Sequence, residues 1–193
     1  MKKLKRSVFT MLLVAATLLC ATSCSLFTHP IERFGKKLEK EKSCRMTLSF
    51  TVAELGKVTM EQYRDGNITY YPANQMLGEE EYYTETVDDY TIEYYRDSKG
   101  VWQKDIYESE DDAFDPEKND IYNADKYEKV SGEKNTYRQK KNVIFDNFED
   151  VTISFVEDTC VIECKMTIDT MEVDAKIVFS EVGEISLTLP KVA

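Results

Sequence analysis

Glycine, proline and histidine are scarce in this chain of 193 residues, which holds seven glycines, four prolines and a single histidine. A chain with so little glycine and proline is not a low-complexity stalk, and it contains no glycine-rich phosphate-binding loop. The one histidine, His29, precedes the predicted strands, so no Ser–His–acid catalytic set is expected. The sequence therefore predicts a non-catalytic domain without a cofactor or a metal site.

Positive charge is also in short supply, because 25 lysines and arginines face 36 aspartates and glutamates and leave a net charge of −11. Nucleic-acid binding requires basic patches that neutralise phosphates, so this charge balance excludes it. Acidic residues are dense between positions 108 and 120, where they supply enough oxygen atoms for a calcium ion. They lack the spacing and the turn glycine of a calcium-binding loop, and we interpret the segment as a solvated acidic loop.

The N-terminus has the three parts of a secretory signal. Four positive charges lie within the first six residues, an almost wholly apolar run follows from Val8 to Leu19, and small residues come next. The apolar run is shorter than the ~20 residues that a membrane-spanning helix needs. We therefore expect this segment to direct export and then to be removed.

Two cysteines, Cys20 and Cys24, follow the apolar run, and only Cys24 is preceded by small side chains. The stretch Ala21-Thr22-Ser23-Cys24 resembles the lipobox of bacterial lipoproteins. This resemblance implies removal of residues 1–23, acylation of Cys24 with chains such as palmitate, and a lipidated tether over residues 24–30. It also implies a location in the bacterial cell envelope: the outer membrane where there are two membranes, and otherwise the outer face of the plasma membrane. Each buried methylene of an acyl chain contributes ~0.8 kcal/mol, so two or three chains hold a protein firmly.

Residues 31–193 are long enough for a single domain with its own core. Loss of the signal removes four positive charges and no negative ones, so the net charge of the remainder is −15. The domain opens with a predicted helix, because Pro30 suits the first helical position and Ile31, Phe34 and Leu38 fall on one face.

From residue 44 onward the apolar residues recur with the period of two that is typical of strands with one buried face. The alternating sets are Cys44, Met46, Leu48 and Phe50; Val151, Ile153 and Phe155; Cys160, Ile162, Cys164 and Met166; Val173, Ala175, Ile177 and Phe179; and Ile185, Leu187 and Leu189. Turns are predicted at residues 65–67 and 98–100, and Asp115-Pro116-Glu117 predicts the start of a short middle helix. The expected fold is α+β: a strongly curved antiparallel sheet, in the form of a half-barrel meander, with an N-terminal helix and one short middle helix.

The segments "GVWQK" at 100–104 and "GEISLTLP" at 183–190, with the tyrosine-rich strands before the first, resemble lipoproteins of the LolA and LppX/LprG type. The resemblance covers roughly residues 31–190. It implies a half-barrel sheet that holds an apolar small molecule or the acyl chains of a lipid in its concave face. The candidate ligand-binding residues are then Met46, Leu48 and Phe50 on one strand and Tyr90, Ile92 and Tyr94 on another.

Paired tyrosines at 70–71, 82–83 and 94–95 favour a second interpretation. Adjacent residues of a strand point to opposite faces, so each pair sends one ring to either side of the sheet. An outward row of rings suits a protein or a carbohydrate partner, because tyrosine offers area together with a polar tip. The alternative is that the tyrosines are there because tyrosine has a high propensity for strands, and neighbouring rings on a sheet stack without any binding partner.

Three further cysteines, Cys44, Cys160 and Cys164, fall on predicted apolar faces. Cys160 and Cys164 cannot bond to each other in a straight strand, because four residues span ~13 Å and a disulfide needs Cα atoms within ~7 Å. A disulfide, if one forms, joins Cys44 to Cys160 or to Cys164. The alternative is that all three are buried thiols.

Overall fold

The computed structural model describes residues 28–52, 56–108, 120–145, 148–168 and 171–192. In these residues the chain is mostly β, with one helix at the start, α1 (Pro30–Glu41), and a 3-10 turn at Ala124–Lys126. The strands are β1 (Ser43–Val52), β2 (Gly56–Asp65), β3 (Ile68–Tyr71), β4 (Tyr82–Val87), β5 (Tyr90–Arg96), β6 (Trp102–Glu108), β7 (Tyr127–Lys129), β8 (Thr136–Gln139), β9 (Phe148–Val156), β10 (Thr159–Ile168) and β11 (Met171–Ser180).

All eleven strands form one antiparallel sheet in the order β6-β5-β4-β3-β2-β1-β11-β10-β9-β8-β7. Each strand pairs with its neighbour in sequence within β1–β6 and within β7–β11, as the short predicted loops require. The two series meet where β1 pairs with β11, with Met46 opposite Phe179 and Leu48 opposite Ile177. The sheet thus has a core half (β1 and β7–β11) and a distal half (β2–β6).

The predicted N-terminal helix is confirmed. Its N-cap is His29, whose Nδ1 accepts a hydrogen bond from the backbone N–H of Ile31 at 3.3 Å. The helix ends at Lys42, which adopts the left-handed conformation with φ of 52° and donates its N–H to the carbonyl of Leu38. Because this helix lies on one face of the core half, the opposite face of the whole sheet is called the outward face below.

A single apolar cluster forms between α1 and the core half of the sheet. Ile31 and Phe34 of the helix pack onto inward residues of β1 and β8–β11, and the ring of Phe34 lies 5.8 Å from that of Phe155 and 6.1 Å from that of Phe179. The alternation predicted for Cys160 to Met166 and for Val173 to Phe179 fits this cluster, whose members at the sheet centre are almost fully buried. No residue of β2–β6 belongs to the cluster.

The distal half is built from hairpins that the sequence predicts well. Gly66 and Gly100 occupy the two predicted turns with φ of 61° and 76°, a region that glycine enters without strain. Large side chains occur on both faces here, since Tyr70 and Tyr83 point outward while Tyr71 and Tyr82 point to the side of α1. The prediction that each tyrosine pair divides between the faces is confirmed.

The predicted strong curvature is wrong, because the sheet is not strongly curled. A sheet wraps around a layer that covers one of its faces, and α1 covers the core half alone. In the distal half, aromatic rings of similar size lie on both faces, so the sheet does not bend towards either face. The coarser part of the fold prediction, an antiparallel sheet with an N-terminal helix, is confirmed.

Three further segments differ from, or lie beyond, the predictions. The middle helix predicted to start at Asp115 lies outside the described residues, and β7 and β8 are short strands that the sequence did not reveal. The last predicted strand, with Ile185, Leu187 and Leu189 on one face, is not formed, since residues 181–192 contain no strand. There the backbone N–H of Leu187 bonds to a carboxylate oxygen of Asp65 at 3.0 Å instead of a strand neighbour.

Candidate functional site

An aromatic row crosses the outward face of the distal half. Its members are Tyr63, Tyr70, Tyr83, Tyr94 and Trp102, one from each of the strands β2 to β6. The register of the hairpins aligns them, because Tyr63 lies opposite Tyr70, Tyr70 opposite Tyr83 and Tyr83 opposite Tyr94. We call these five residues the outward aromatic row.

Four of the five rings of the row form a chain of ring contacts, in which Tyr83 on β4 contacts Trp102 on β6. Centroid distances are 6.0 Å from Tyr63 to Tyr70, 4.7 Å from Tyr70 to Tyr83 and 5.6 Å from Tyr83 to Trp102. The first two pairs are tilted by 37° and 35°, and the third is T-shaped. Such contacts each stabilise the sheet by ~0.5–1.5 kcal/mol beyond the area that they bury.

An arginine lies over each end of the row. The guanidinium of Arg45 on β1 lies 5.5 Å from the ring of Tyr63, and that of Arg96 lies 4.4 Å from the ring of Trp102. Arg45 also donates a hydrogen bond to Glu61 at 2.9 Å. This bond raises the pKa of the guanidinium further above its usual value. The ring faces at both ends are therefore covered by cations and not by solvent.

Glutamates hold the phenol groups of the row. Tyr63 donates to Glu61 at 3.2 Å, Tyr70 to Glu81 at 3.0 Å and Tyr94 to Glu85 at 2.9 Å. Burial, followed by the hydrogen bond to Glu81, raises the pKa of Tyr70 to about 12. Burial likewise raises the pKa of Tyr83 and of Tyr94. These phenols are therefore neutral hydrogen-bond donors at physiological pH.

An apolar patch adjoins the row on the same face. Val87, Tyr90 and Ile106 are 41%, 50% and 60% exposed, and Ile92 lies between them, opposite Ile106. Val87 and Tyr90 face each other across the β4–β5 hairpin. Exposed apolar side chains that gather in one place, unlike single scattered ones, mark interaction surfaces. We call these four residues the apolar patch.

The six predicted ligand-binding residues divide between the two faces of the sheet. Met46, Leu48 and Phe50 face α1, where Met46 is buried and the other two pack at the edge of the cluster. Tyr90, Ile92 and Tyr94 point outward, the first two in the apolar patch and the third in the aromatic row. The sheet separates the two sets, so they cannot line one cavity.

Two open depressions are found in the described part of the chain. The first, of about 440 Å³, lies over the outward face of the core half and is lined mainly by polar and charged side chains. Two ion pairs, Lys165–Asp150 and Lys176–Glu163, each 3.2 Å long, cross its floor. The second, of about 540 Å³, lies beside residues 138–145 and 148–152. Neither has the enclosed apolar lining that a bound acyl chain requires.

Of the two alternatives left open for the cysteines, the structure has the second, because Cys44, Cys160 and Cys164 are thiols and form no disulfide. Strand β11 lies between β1 and β10, and two strand spacings of ~4.8 Å put the backbones beyond the reach of a disulfide. Burial raises the pKa of Cys160 and raises that of Cys164 to about 12, so neither is a reactive thiolate. Within the described ranges, no group of three or more metal-ligating side chains was found.

The sequence pointed to outward tyrosines but not to the full row. Neither Tyr63 nor Trp102 belongs to a pair of adjacent tyrosines in the sequence. The pairing registers of the hairpins place them next to the other members of the row. Cys24, the predicted lipid attachment site, lies outside the described residues. No helix among the described residues is long and apolar enough to cross a membrane.

No family model matches the chain, and no curated protein matches it significantly.

Proposed function

We propose that the chain is a non-catalytic lipoprotein of the bacterial envelope, anchored through Cys24, whose distal half binds a protein partner on its outward face. The observation that carries this proposal is the apolar patch next to the outward aromatic row. Together they place exposed Val87, Tyr90 and Ile106 beside five aromatic rings on one continuous face. Exposed apolar side chains gathered beside aromatic rings are the composition expected of a binding surface.

The composition of this face suits a protein interface. Aromatic residues and arginine are enriched at interface centres, and tyrosine, tryptophan and arginine dominate the residues whose loss weakens binding most. The row supplies tyrosine and tryptophan, and Arg45 and Arg96 lie over its two ends. These side chains are held in position, since hydrogen bonds join three of the four phenols to glutamates. A surface that is already ordered loses little entropy on binding.

A sugar fits the row less well than a protein does. Stacking a sugar requires an aromatic ring with an open face, whereas each ring of Tyr70 and Tyr83 is turned towards the next ring. The arginines cover the two ends. The row thus combines rings already in contact with each other and charged groups at its ends, which suits the mixed chemistry of a protein surface.

The carrier function that the sequence resemblance implies has less support. Met46, Leu48 and Phe50 pack into or against a filled core, and the depressions beside the sheet are open and have several charged side chains in their lining. Native mass spectrometry of the purified full-length protein separates the two functions. Acyl species that co-purify in stoichiometric amount, beyond those on Cys24, would favour the carrier.

The anchor is tested by exchanging the two cysteines of the N-terminal segment separately. We expect Cys24→Ala to release the protein from membranes, whereas Cys20→Ala, the matched control, leaves it there. Equal retention of the two variants, with removal of residues 1–23 verified by mass, would contradict acylation of Cys24.

The binding face is tested by a photo-crosslinking amino acid placed at single positions of the full-length chain in living cells. Tyr90 on the apolar patch is 50% exposed, and Val156 at the β9–β10 turn, the control position, is 62% exposed. We expect conjugates with a different protein from position 90 and none from position 156. Equal conjugation at both positions, no conjugate from position 90, or conjugates with a second copy alone would contradict the proposal.

A further inference from the structure

The two edges of the sheet are unlike. Strand β7 at one edge has three residues, whereas β6 at the other has seven, and within the described residues no further strand pairs with it. Alternate residues of an edge strand direct their backbone N–H and C=O groups away from the sheet, which makes a long edge a template for another strand. Ile106, in the middle of β6, is 60% exposed, and Lys104 to Glu108 are all exposed.

The exposed part of β6, residues 104–108 (KDIYE), is complementary to itself when it runs antiparallel to a second copy about Ile106. In that register Ile106 lies opposite Ile106 of the second copy, and Lys104 lies opposite Glu108 twice. On the other face Asp105 lies opposite Tyr107. Directly opposed residues in an antiparallel pair are ~4.5–5.5 Å apart, and opposite charges or apolar groups at such positions stabilise the pairing.

Neighbouring registers lose this match. If the two strands slide so that Asp105 lies at the centre, two aspartates oppose each other. In the register centred on Lys104, two lysines oppose each other. Like charges directly opposite each other destabilise a strand pair. A register that exchanges the two faces does not arise, because two copies of the same edge strand, paired antiparallel, turn the same face of their sheets to the same side. Of the registers centred on Lys104, Asp105 and Ile106, only the one centred on Ile106 opposes no like charges.

We propose that two copies of the chain associate through β6 to form a dimer with one continuous sheet, in the register centred on Ile106. The two-fold axis then stands perpendicular to the sheet, because Ile106 faces outward in both copies. The outward aromatic rows and the apolar patches of both copies come to lie on the same side. This inference does not depend on the proposed partner, since it is argued from the unpaired edge and the charges of β6, although Ile106 belongs to the apolar patch as well.

The register is tested by cysteine crosslinking of the full-length chain in its envelope, with copper–phenanthroline as the oxidant. Ile106→Cys places two cysteines directly opposite each other, within disulfide distance. Lys104→Cys, the matched control, puts them about 14 Å apart, since four residues of offset separate them along the strands. We expect at least tenfold more disulfide-linked dimer from Ile106→Cys than from Lys104→Cys and from the unchanged chain. Equal yields, or no dimer from Ile106→Cys, would overturn the proposal.

A charge exchange tests the same register without a crosslink. Lys104→Glu puts glutamates opposite each other at two places and is expected to weaken dimerisation roughly tenfold, as followed by sedimentation in detergent. Adding Glu108→Lys restores opposite charges in this register alone, so the double variant is expected to dimerise like the parent. Both residues are exposed, so folding is expected to be unaffected. A single variant that dimerises normally, or a double variant that fails to recover, would refute the register.

Discussion

Gly35 in the middle of α1 offers a sharp test of how the helix packs. A Cβ atom at this position would lie 2.8 Å from Cβ of Tyr122 and 3.1 Å from its Cγ. A Cβ cannot turn away by changing rotamer, so the backbone around Tyr122 must move. Alanine is a better helix former than glycine by ~1 kcal/mol, whereas forcing an atom into a packed contact costs ~1–3 kcal/mol. We expect Gly35→Ala to destabilise the domain by about 1 kcal/mol.

The measurement is thermal and urea unfolding followed by circular dichroism, with Lys36→Ala as the control. Lys36 is exposed on the next position of the same helix, so its replacement is expected to change stability by less than ~0.5 kcal/mol. In a domain of this size, 1 kcal/mol corresponds to a fall of roughly 2–4 °C in Tm. If Gly35→Ala raises Tm, helix propensity outweighs the contact, and the packing of Tyr122 on α1 is not as described.

Three other predictions follow from the same contacts. Burial lowers the pKa of His29 below its usual value of 6.5, so the stability from the cap made by its neutral ring is present above pH 6.5 and is lost as pH falls through the lowered pKa. The free energy of unfolding should therefore fall between pH 7 and 5 in the wild type, and fall less in His29→Asn. Tyr71 and Tyr82 are stacked at 4.4 Å and 9°, so a double-mutant cycle to alanine should give ~0.5–1.5 kcal/mol of coupling, and a coupling of zero would refute the stack. Mapping of alkylated peptides under denaturing conditions should find all three cysteines of the sheet as thiols, and a linked peptide pair would restore the disulfide hypothesis.

Local features of the fold were predictable from the sequence because their causes are local. Pro30 and the spacing of Ile31 and Phe34 specify the helix, and glycine-containing turns specify the hairpins of the distal half. The alternation in β9–β11 identifies the inward residues. By contrast, the pairing of β1 with β11 joins the first strand to the last. These strands are far apart in the sequence, so no short connecting loop indicates that they pair.

Other features depend on tertiary structure that residue patterns do not encode. Strands β7 and β8 lie in a highly charged stretch, where only Tyr127 and Tyr137 are buried in the core and the period of two is too short to detect. The curvature depends on how much of the sheet a helix covers. The candidate site was foreseen in part, since doubled tyrosines mark both faces, but the alignment of Tyr63 and Trp102 with them is a property of the strand registers.

The two halves of the sheet differ in how they are stabilised and in the apolar area that they expose. The core half buries its apolar residues under α1 and is stable by ordinary packing. The distal half is held by ring contacts and by ion pairs such as Arg96–Glu81, 3.1 Å long, while its apolar patch is exposed. Exposed apolar area stabilises nothing in the isolated chain, so its presence points to a bound state.

The central claim is that the outward face of the distal half binds a protein. The most direct measurement is the affinity of the full-length protein for the partner that crosslinks at position 90, in wild type, Tyr90→Lys and Val156→Lys. A buried charge at the centre of the face should weaken binding at least tenfold, or ~1.4 kcal/mol, while Val156→Lys leaves it unchanged. Equal affinities of wild type and Tyr90→Lys, with both proteins folded, would contradict the claim.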